Sequence, residues 1–180
     1  MDAITLLTND HEAVEDLFAR YETTRSRAHA EKRHLVDRMR RRLSVHTLVE
    51  EQIFYPVVRL TVPAFQHPAF KSVEEHHIVR WELSELDGLD PSDERFDARV
   101  AVMIANVRQH VDEEEQEFFP GVRNALGRGA LNDLGDTMFH AQRQVLVHRT
   151  RWPAALTRLT RWRTATWTKA TPRGASPSGR

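Results

Sequence analysis

HTLVEEQIFYPVVR (residues 46–59) and HVDEEEQEFFPGVR (residues 110–123) are two copies of one sequence pattern. They align without a gap and agree at eight of 14 positions: the first His, two Glu, the Gln, the Phe, the Pro and the final Val and Arg. His11 lies 35 residues before His46, and His76 lies 34 residues before His110. Each half of the chain therefore offers one His on a first segment and His-x-x-x-Glu on a second, which predicts two copies of one helical hairpin.

Apolar residues recur at the three- and four-residue spacing of amphipathic helices in four segments of the chain. These segments cover about residues 2–21, 30–57, 69–87 and 92–120. A loop is expected at residues 61–68, while Pro56 and Pro120-Gly121 are expected to kink or end the second and fourth helices. The apolar stripes consist of Leu7, Val14, Phe18, Leu35, Met39, Leu43, Ile53, Val57, Val73, Val79, Leu83, Leu86, Val100, Met103, Val107 and Phe118.

The two hairpins predict an all-α fold, namely an antiparallel up-down four-helix bundle. The composition agrees, because seven Gly, eight Pro and two Tyr in 180 residues favour helices over strands and turns. We expect the bundle to occupy residues 1–128. An additional helix is expected within residues 129–148, from about Leu131 to His148, and a basic, Trp-containing, partly disordered tail over residues 149–180.

The charge of the chain is distributed unevenly. Residues 149–180 contain eight Lys or Arg and no acidic residue, which leaves 18 basic and 26 acidic residues (18 − 26 = −8) before them. Trp152, Leu156 and Leu159 lie among these arginines, so the tail is suited to an anionic membrane surface or to nucleic acid. The favoured interpretation, however, is a solvated extension that folds back onto the acidic body.

The composition also excludes several classes of protein. The chain has no Cys, which rules out disulfides, thiolate metal sites and iron–sulfur clusters. No apolar run approaches the roughly 20 residues that cross a bilayer. The first ten residues lack the basic start and apolar stretch of a signal peptide. A cytoplasmic protein is therefore expected.

Polar residues on the inward faces of the four helices indicate a metal site. A lone inward His is more often a packed core residue, but here the pattern occurs twice at matching distances. Burying four imidazoles and two carboxylates without partners would cost several kcal/mol per charge. Nitrogen and oxygen donors suit iron, manganese or zinc, and a paired site in a bundle favours iron. The inward polar residues are His11, His46, Glu50, His76, His110 and Glu114.

Over about residues 3–125 the sequence resembles the hemerythrin-like HHE cation-binding family. That family carries a His in helix 1, His-x-x-x-Glu-Glu before a Phe-Tyr-Pro-like stop, Glu-His in helix 3, and a second His-x-x-x-Glu-Glu in helix 4. The resemblance implies two iron ions bridged by an oxo or hydroxo group, with manganese or zinc as less favoured metals. It implies that Glu50 and Glu114 bridge the two ions and that the ligands are His11, His46, Glu50, His76, His110 and Glu114.

The sequence departs from the oxygen-carrying members of that family at two places. A second His one turn along helix 3 is missing, because Arg80 and Trp81 occupy those positions. In the carriers the helix 4 carboxylate lies five residues after its His, which here is Glu115, whereas the internal repeat points to Glu114.

Several neighbouring residues have alternative interpretations. His76 shares the apolar face of its helix, so it is a better ligand than His77. Glu51, Glu113 and Glu115 are expected on a solvated face or as hydrogen-bond partners of ligand His residues. Tyr55 and Phe119 are expected to pack below the metals rather than to act as redox residues.

Three functions fit the sequence. The site binds or senses dioxygen, nitric oxide or iron; or it breaks down hydrogen peroxide or another small oxidant; or the metal is structural in an adaptor that docks through its basic tail. The missing fifth His argues against a dedicated oxygen carrier.

Overall fold

The computed structural model describes residues 1–147 of the chain, and these residues form a helical bundle. The predicted basic tail lies outside the described residues. Two π-helical turns, Glu50–Phe54 and Glu114–Phe118, and a 3-10 turn, Pro63–Phe65, connect helices. The helices are α1 (Ala3–Glu22), α2 (His29–Val49), α3 (Tyr55–Thr61), α4 (Gln66–Asp87), α5 (Phe96–Glu113) and α6 (Phe119–Val147).

Two helical hairpins build the four-helix bundle, as the internal repeat predicts. Helix α1 packs on α2, and α4 packs on α5. The first π turn continues α2 into α3, and the second continues α5 into α6, so each hairpin has one long, interrupted helix. Within residues 1–147, no helix has both the length and the apolar character needed to cross a bilayer.

The apolar core has two parts, one on either side of the predicted ligands. Along α1, for example, Leu7 belongs to one cluster and Val14 to the other, with His11 between them. The same order holds along α2, where Leu43 and Val49 flank His46. The predicted ligands therefore lie in the middle of the bundle, enclosed by packed side chains at both ends.

The prolines do not end their helices, which corrects the expectation for Pro56 and Pro120. Each proline follows a π turn and lies in the first turn of the next α-helical segment. A proline is tolerated there because the first turn of a helix does not need its backbone N–H. In the second hairpin, the helix breaks later, at Gly127, whose φ of 71° and ψ of 166° are outside the helical region. The expected loop at 61–68 is also shorter, because α4 already begins at Gln66.

The part of α6 after Gly127 covers the first hairpin. Leu131, Leu134 and Met138 are buried there, and α6 packs on both α1 and α2. The backbones of α6 and the N-terminus approach so closely at Gly135 that a Cβ at that position would clash with the carbonyl oxygen of Met1. A fifth helical segment thus seals one side of the bundle.

Candidate metal centre

All six residues predicted as ligands come together in the bundle interior. Each has at most 5% of its surface exposed. Their side chains form two groups whose potential ligand atoms lie within 4.8 Å of one another, and Glu50 belongs to both groups. The first group is His11, His46, Glu50 and Glu114, and the second is Glu50, His76 and His110.

The four imidazoles form two pairs, each within one hairpin. The Nε2 atoms of His11 and His46 are 3.1 Å apart, and those of His76 and His110 are also 3.1 Å apart. At this spacing, both Nε2 atoms of a pair can coordinate the same cation when their rings are neutral and protonated on Nδ1. Each pair therefore offers one position for a cation.

The two carboxylates lie between the imidazole pairs. Glu50 Oε2 is 3.1 Å from His46 Nε2 of its own hairpin and 3.4 Å from His76 Nε2 of the other. Glu114 Oε2 lies 3.6 Å from His110 Nε2 and 3.5 Å from His11 Nε2. Each carboxylate thus faces both pairs, which is the placement that a ligand shared by two metal ions requires.

The π turns explain how aromatic rings come to lie beside the ligands. A π turn closes hydrogen bonds between residues five apart, so the residue five after each Glu returns to the inner face of the bundle. Tyr55 is that residue in the first repeat and Phe119 in the second, and their backbone N–H groups bond to the carbonyls of Glu50 and Glu114. Tyr55 lies with its ring centre 5.8 Å from that of His76.

The hydroxyl of Tyr55 distinguishes the two carboxylates. It donates a hydrogen bond of 2.7 Å to Glu114 Oε1. Phe119, the counterpart of Tyr55, has no such donor and stacks on His11 at 5.8 Å. Both oxygens of Glu50 are consequently buried without a hydrogen-bond partner, whereas only Oε2 of Glu114 is. Sequence reasoning assigned Tyr55 to packing alone, because the effect of the π turn on its direction was not recognised.

The outer ring nitrogens of three imidazoles contact carboxylates. His11 Nδ1 is 2.8 Å from Glu115 Oε1, and His76 Nδ1 is 2.9 Å from Glu51 Oε1. Each of these two acids directly follows the inward Glu of the opposite hairpin. A carboxylate at Nδ1 holds the proton there and leaves the Nε2 lone pair facing the interior, as in many metal-binding His residues.

The remaining two imidazoles reveal an asymmetry between the halves. His110 Nδ1 is 2.9 Å from Glu75 Oε2, but His46 Nδ1 is 3.8 Å from Asp10 Oδ2 and has no hydrogen bond. Asp10 and Glu75 occupy matching places, each directly before the first His of its hairpin. Asp is one methylene shorter than Glu, and Asp10 Oδ2 instead accepts a bond of 2.5 Å from Gln142 of α6.

Burial controls the protonation of these groups. Desolvation, helped by the neighbouring imidazoles, lowers the pKa of His11 and of His76 well below the ordinary value, so both are neutral and able to donate a lone pair. Burial and the charge of Glu114 raise the pKa of Glu50 well above its ordinary value. Burial opposes protonation of His110, but the charges of Glu114 and Glu75 outweigh it and raise the pKa.

These residues fit a pair of cations. Three carboxylate oxygens of Glu50 and Glu114 are buried without a hydrogen-bond donor, and leaving such groups unpaired is costly. Four imidazole nitrogens face the same space. Two imidazoles lie on each side and the carboxylates lie between them. Carboxylate oxygens are hard ligands and imidazole nitrogens are borderline ligands, a combination that suits iron, manganese or zinc.

The residues that the sequence offered as alternatives lie at different places in the structure. Glu114 lies inside the cluster, whereas the Glu115 side chain is 37% exposed and contacts the outer nitrogen of His11. His77 is on the outside of α4, bonded to Glu74. Arg80, which replaces a His of the oxygen carriers, donates to Glu51 at 2.6 Å and adds no donor to the cluster.

The contacts of Asp10 and Glu75 were not predicted from the sequence. The signal was present, because an acidic residue directly precedes the first His of both hairpins. Which ring nitrogen an acid on a neighbouring helix reaches depends on the side-chain directions of two packed helices. That information is not contained in helical spacing.

Comparison with known proteins identifies related sequences and folds. The profile of the hemerythrin HHE cation binding domain matches residues 2–122. A crystal structure of a hemerythrin HHE cation binding domain-containing protein from Mycobacterium kansasii is similar, with a TM-score of 0.69 and 22% sequence identity. The match covers 88% of this chain and 98% of that one, and at this identity it shows a shared fold. The comparison with curated proteins gave no match.

Proposed function

The chain belongs to the hemerythrin HHE cation-binding domain family, and from that premise we propose that it binds two iron ions and uses them to break down hydrogen peroxide. Membership makes it a metal-binding protein of the hemerythrin type. The number and identity of the ions and the reaction are our proposal. In that reaction two molecules of peroxide give one of dioxygen and two of water.

The observation that carries the proposal is the pair of buried carboxylates facing two imidazole pairs. His11 and His46 would hold one ion, and His76 and His110 the other. Glu50 and Glu114 would be shared, which explains why their oxygens are buried without other partners. Iron is favoured because the donors are nitrogen and oxygen only and because paired carboxylate sites in helical bundles hold iron.

The number of donors favours turnover of a small oxidant over reversible oxygen carriage. When bound, the iron ions would supply two electrons to one peroxide molecule, which is reduced to water, and recover two electrons from a second, which is oxidised to dioxygen. Four imidazoles and two shared carboxylates do not fill the about twelve positions of two six-coordinate ions. Arg80 bonds to Glu51 and would fill none of the remaining coordination positions of the two ions. His11, His46, His76, His110, Glu50 and Glu114 would therefore leave positions on both ions for one small molecule, as a two-atom oxidant requires.

The surrounding residues prepare the site for this chemistry. Glu51, Glu75 and Glu115 hold the protons of three imidazoles on the outer nitrogens. Tyr55 holds its phenol proton against Glu114, and burial together with the charge of Glu114 raises the pKa of Tyr55 well above its ordinary value. A neutral phenol at this place is a fixed hydrogen-bond donor that does not ionise at neutral pH.

The proposal is tested on protein purified from iron-replete cells without added metal. We expect about two iron atoms per chain, since each hairpin offers one imidazole pair. Added peroxide should be consumed with evolution of dioxygen. The reduced protein is also exposed to air and then degassed. A stable, reversible oxygenated spectrum without peroxide turnover would overturn the proposed reaction and indicate oxygen carriage instead.

Substitution of the two neighbouring acids in the second repeat tests the ligand assignment. Glu114→Gln should deplete iron more than Glu115→Gln, because Glu114 lies between the imidazoles and is 1% exposed, whereas Glu115 reaches only an outer ring nitrogen. Iron per chain is measured after identical purification. Greater iron loss in Glu115→Gln would show that the second repeat uses the carboxylate spacing of the oxygen carriers.

A further inference from the structure

A cavity of about 280 Å³ lies between the start of α4 and the second π turn. Glu114, one of the two predicted shared ligands, forms part of its wall. His67, Lys71 and Glu117 also line the cavity and are exposed to solvent. The cavity therefore extends from the protein surface to a residue of the metal centre, Glu114, whose side chain is 1% exposed.

The walls of the cavity differ from its rim. Phe65, Pro68 and Phe118 are its apolar lining residues, and the buried Ser72 also lines it. Phe65 packs edge-on against Phe118, with ring centres 5.3 Å apart. Six of the nine lining residues are polar or charged, but most of the surface inside the cavity is apolar, which suits a small, neutral molecule. The volume is below that of cavities that hold drug-sized ligands.

In the first hairpin, positions that correspond to the cavity wall are occupied by buried apolar residues. His76 lies 65 residues after His11, and the second repeat lies 64 residues after the first. At these offsets Ser72 corresponds to Leu7, and Glu113 corresponds to Val49. Leu7 is 0% and Val49 1% exposed, and both belong to the apolar cluster that α6 covers.

Three further replacements follow the same trend. Lys71 and Glu117 of the open side correspond to Leu6 and Ile53 of the closed side. Gly121 corresponds to Val57, and only glycine leaves room for the Phe65 ring, because a Cβ at position 121 would clash with it. The chain thus places polar and small residues around the cavity where its repeat has apolar ones.

We propose that small neutral reactants reach the metal centre through the cavity between α4 and the second π turn, while α6 seals the equivalent path in the first hairpin. This inference rests on the proposed function in one respect: the reactant that passes through the cavity is the one that the proposed reaction consumes. Two residues then control how easily a reactant passes. Ser72 is smaller than the leucine at the corresponding position of the first hairpin, and the Phe65 ring borders the cavity.

The test uses nitric oxide as a neutral probe of the reduced, iron-loaded protein, with its binding rate followed by stopped-flow absorbance. Ser72→Leu introduces the side chain of the closed hairpin and should slow binding about tenfold, equivalent to about 1.4 kcal/mol in the barrier. Ser84→Leu is the matched control, since Ser84 lies exposed on the same helix and outside the cavity. It should leave the rate unchanged.

A second variant keeps the test decisive if Ser72→Leu lowers stability or iron content. Phe65→Ala removes a half-buried ring from the cavity and should raise the nitric oxide binding rate and the rate of iron release to bipyridine, with iron content unchanged. Equal rates for the parent protein and Phe65→Ala would overturn the proposed path. So would equal rates for Ser72→Leu and Ser84→Leu at full iron content.

The outcomes for path and reaction are separable. Slower nitric oxide binding in Ser72→Leu, in a protein that does not consume peroxide, would support the path and reject the proposed reaction. Peroxide consumption with nitric oxide rates that are equal in all variants would support the reaction and reject the path.

Discussion

At the scale of single residues, the outer ring nitrogens distinguish the two halves of the site. His110 contacts Glu75 at 2.9 Å, while His46 is 3.8 Å from Asp10. The hydrogen bond to His110 lowers the pKa of Glu75 to about 2, so Glu75 is ionised at neutral pH. A charged acceptor orients an imidazole and makes its other nitrogen a better donor. The position between His76 and His110 should therefore hold its ion more tightly than the position between His11 and His46.

Substitution of these two acids tests the difference. Glu75→Gln should weaken iron binding by about tenfold, because the imidazole loses a charged hydrogen-bond acceptor. Asp10→Asn should change the iron affinity less, because Asp10 makes no hydrogen bond to His46 that the substitution could remove. Iron affinity is measured by competition with a chelator. A larger effect of Asp10→Asn would show that Asp10 moves onto His46 when the metal binds.

The two tyrosines of the chain provide a matched pair. Tyr55→Phe should lower the free energy of unfolding of the metal-free protein by about 1–3 kcal/mol, because a buried oxygen of Glu114 loses its donor. Tyr21→Phe should cost about 1 kcal/mol or less, because its acceptor Asp97 is half-exposed and still binds Lys32. Denaturant unfolding of both variants measures the difference. Equal losses would mean that the Tyr55 hydroxyl does not stabilise Glu114.

The sequence predicts residues that follow a repeat and misses residues that depend on contacts between helices. His11 and His76 were found because their distances to the second His of each hairpin match. The hydroxyl of Tyr55 and the acids at positions 10 and 75 were missed, because each reaches its partner across two helices. The choice of Glu114 over Glu115 followed the repeat, and the structure places Glu114 within the cluster.

At the scale of helices, the most informative difference concerns the interrupted helices. Pro56 and Pro120 were expected to stop or kink them, yet both helices continue. Periodicity detects where apolar residues recur but does not reveal an extra residue in one turn. The π turn accommodates both the proline and the inward direction of the following aromatic ring, so the feature that disrupts the pattern also shapes the site.

Two nearby glycines test where α6 is broken. Gly127→Ala should destabilise the protein by about 1–3 kcal/mol, because a φ of 71° with a ψ of 166° is strained for any residue with a Cβ. Gly129→Ala should stabilise it by about 0.5–1 kcal/mol, because this glycine is exposed, has open space around it and lies within a helix. Thermal unfolding distinguishes the two signs. A stable Gly127→Ala variant would indicate that α6 can continue without a break.

At the scale of the whole molecule, the metal centre interrupts the core. The buried polar residues separate one apolar cluster from the other, so the bundle without metal keeps carboxylate oxygens that lack partners. A cation that binds only the folded chain compensates them and raises stability by mass action. The overall bundle was predictable, since four amphipathic segments leave few alternatives. The packing of α6 over one side of the bundle was not predictable, because its close approach to the N-terminus depends on a single small residue, Gly135.

Truncation at two places separates the bundle from the rest of the chain. Cutting after His148 should leave a folded protein with its iron, because every proposed ligand and all four apolar stripes lie before that residue. Cutting after Gly127 should destabilise it by several kcal/mol, because Leu131, Leu134 and Met138 leave the core and each buried side chain contributes about 1.5–3 kcal/mol. Circular dichroism melting and iron analysis of both products measure the outcome. If the longer product is insoluble or loses its iron, residues 149–180 complete the core, and the basic tail is part of the folded domain rather than an extension of it.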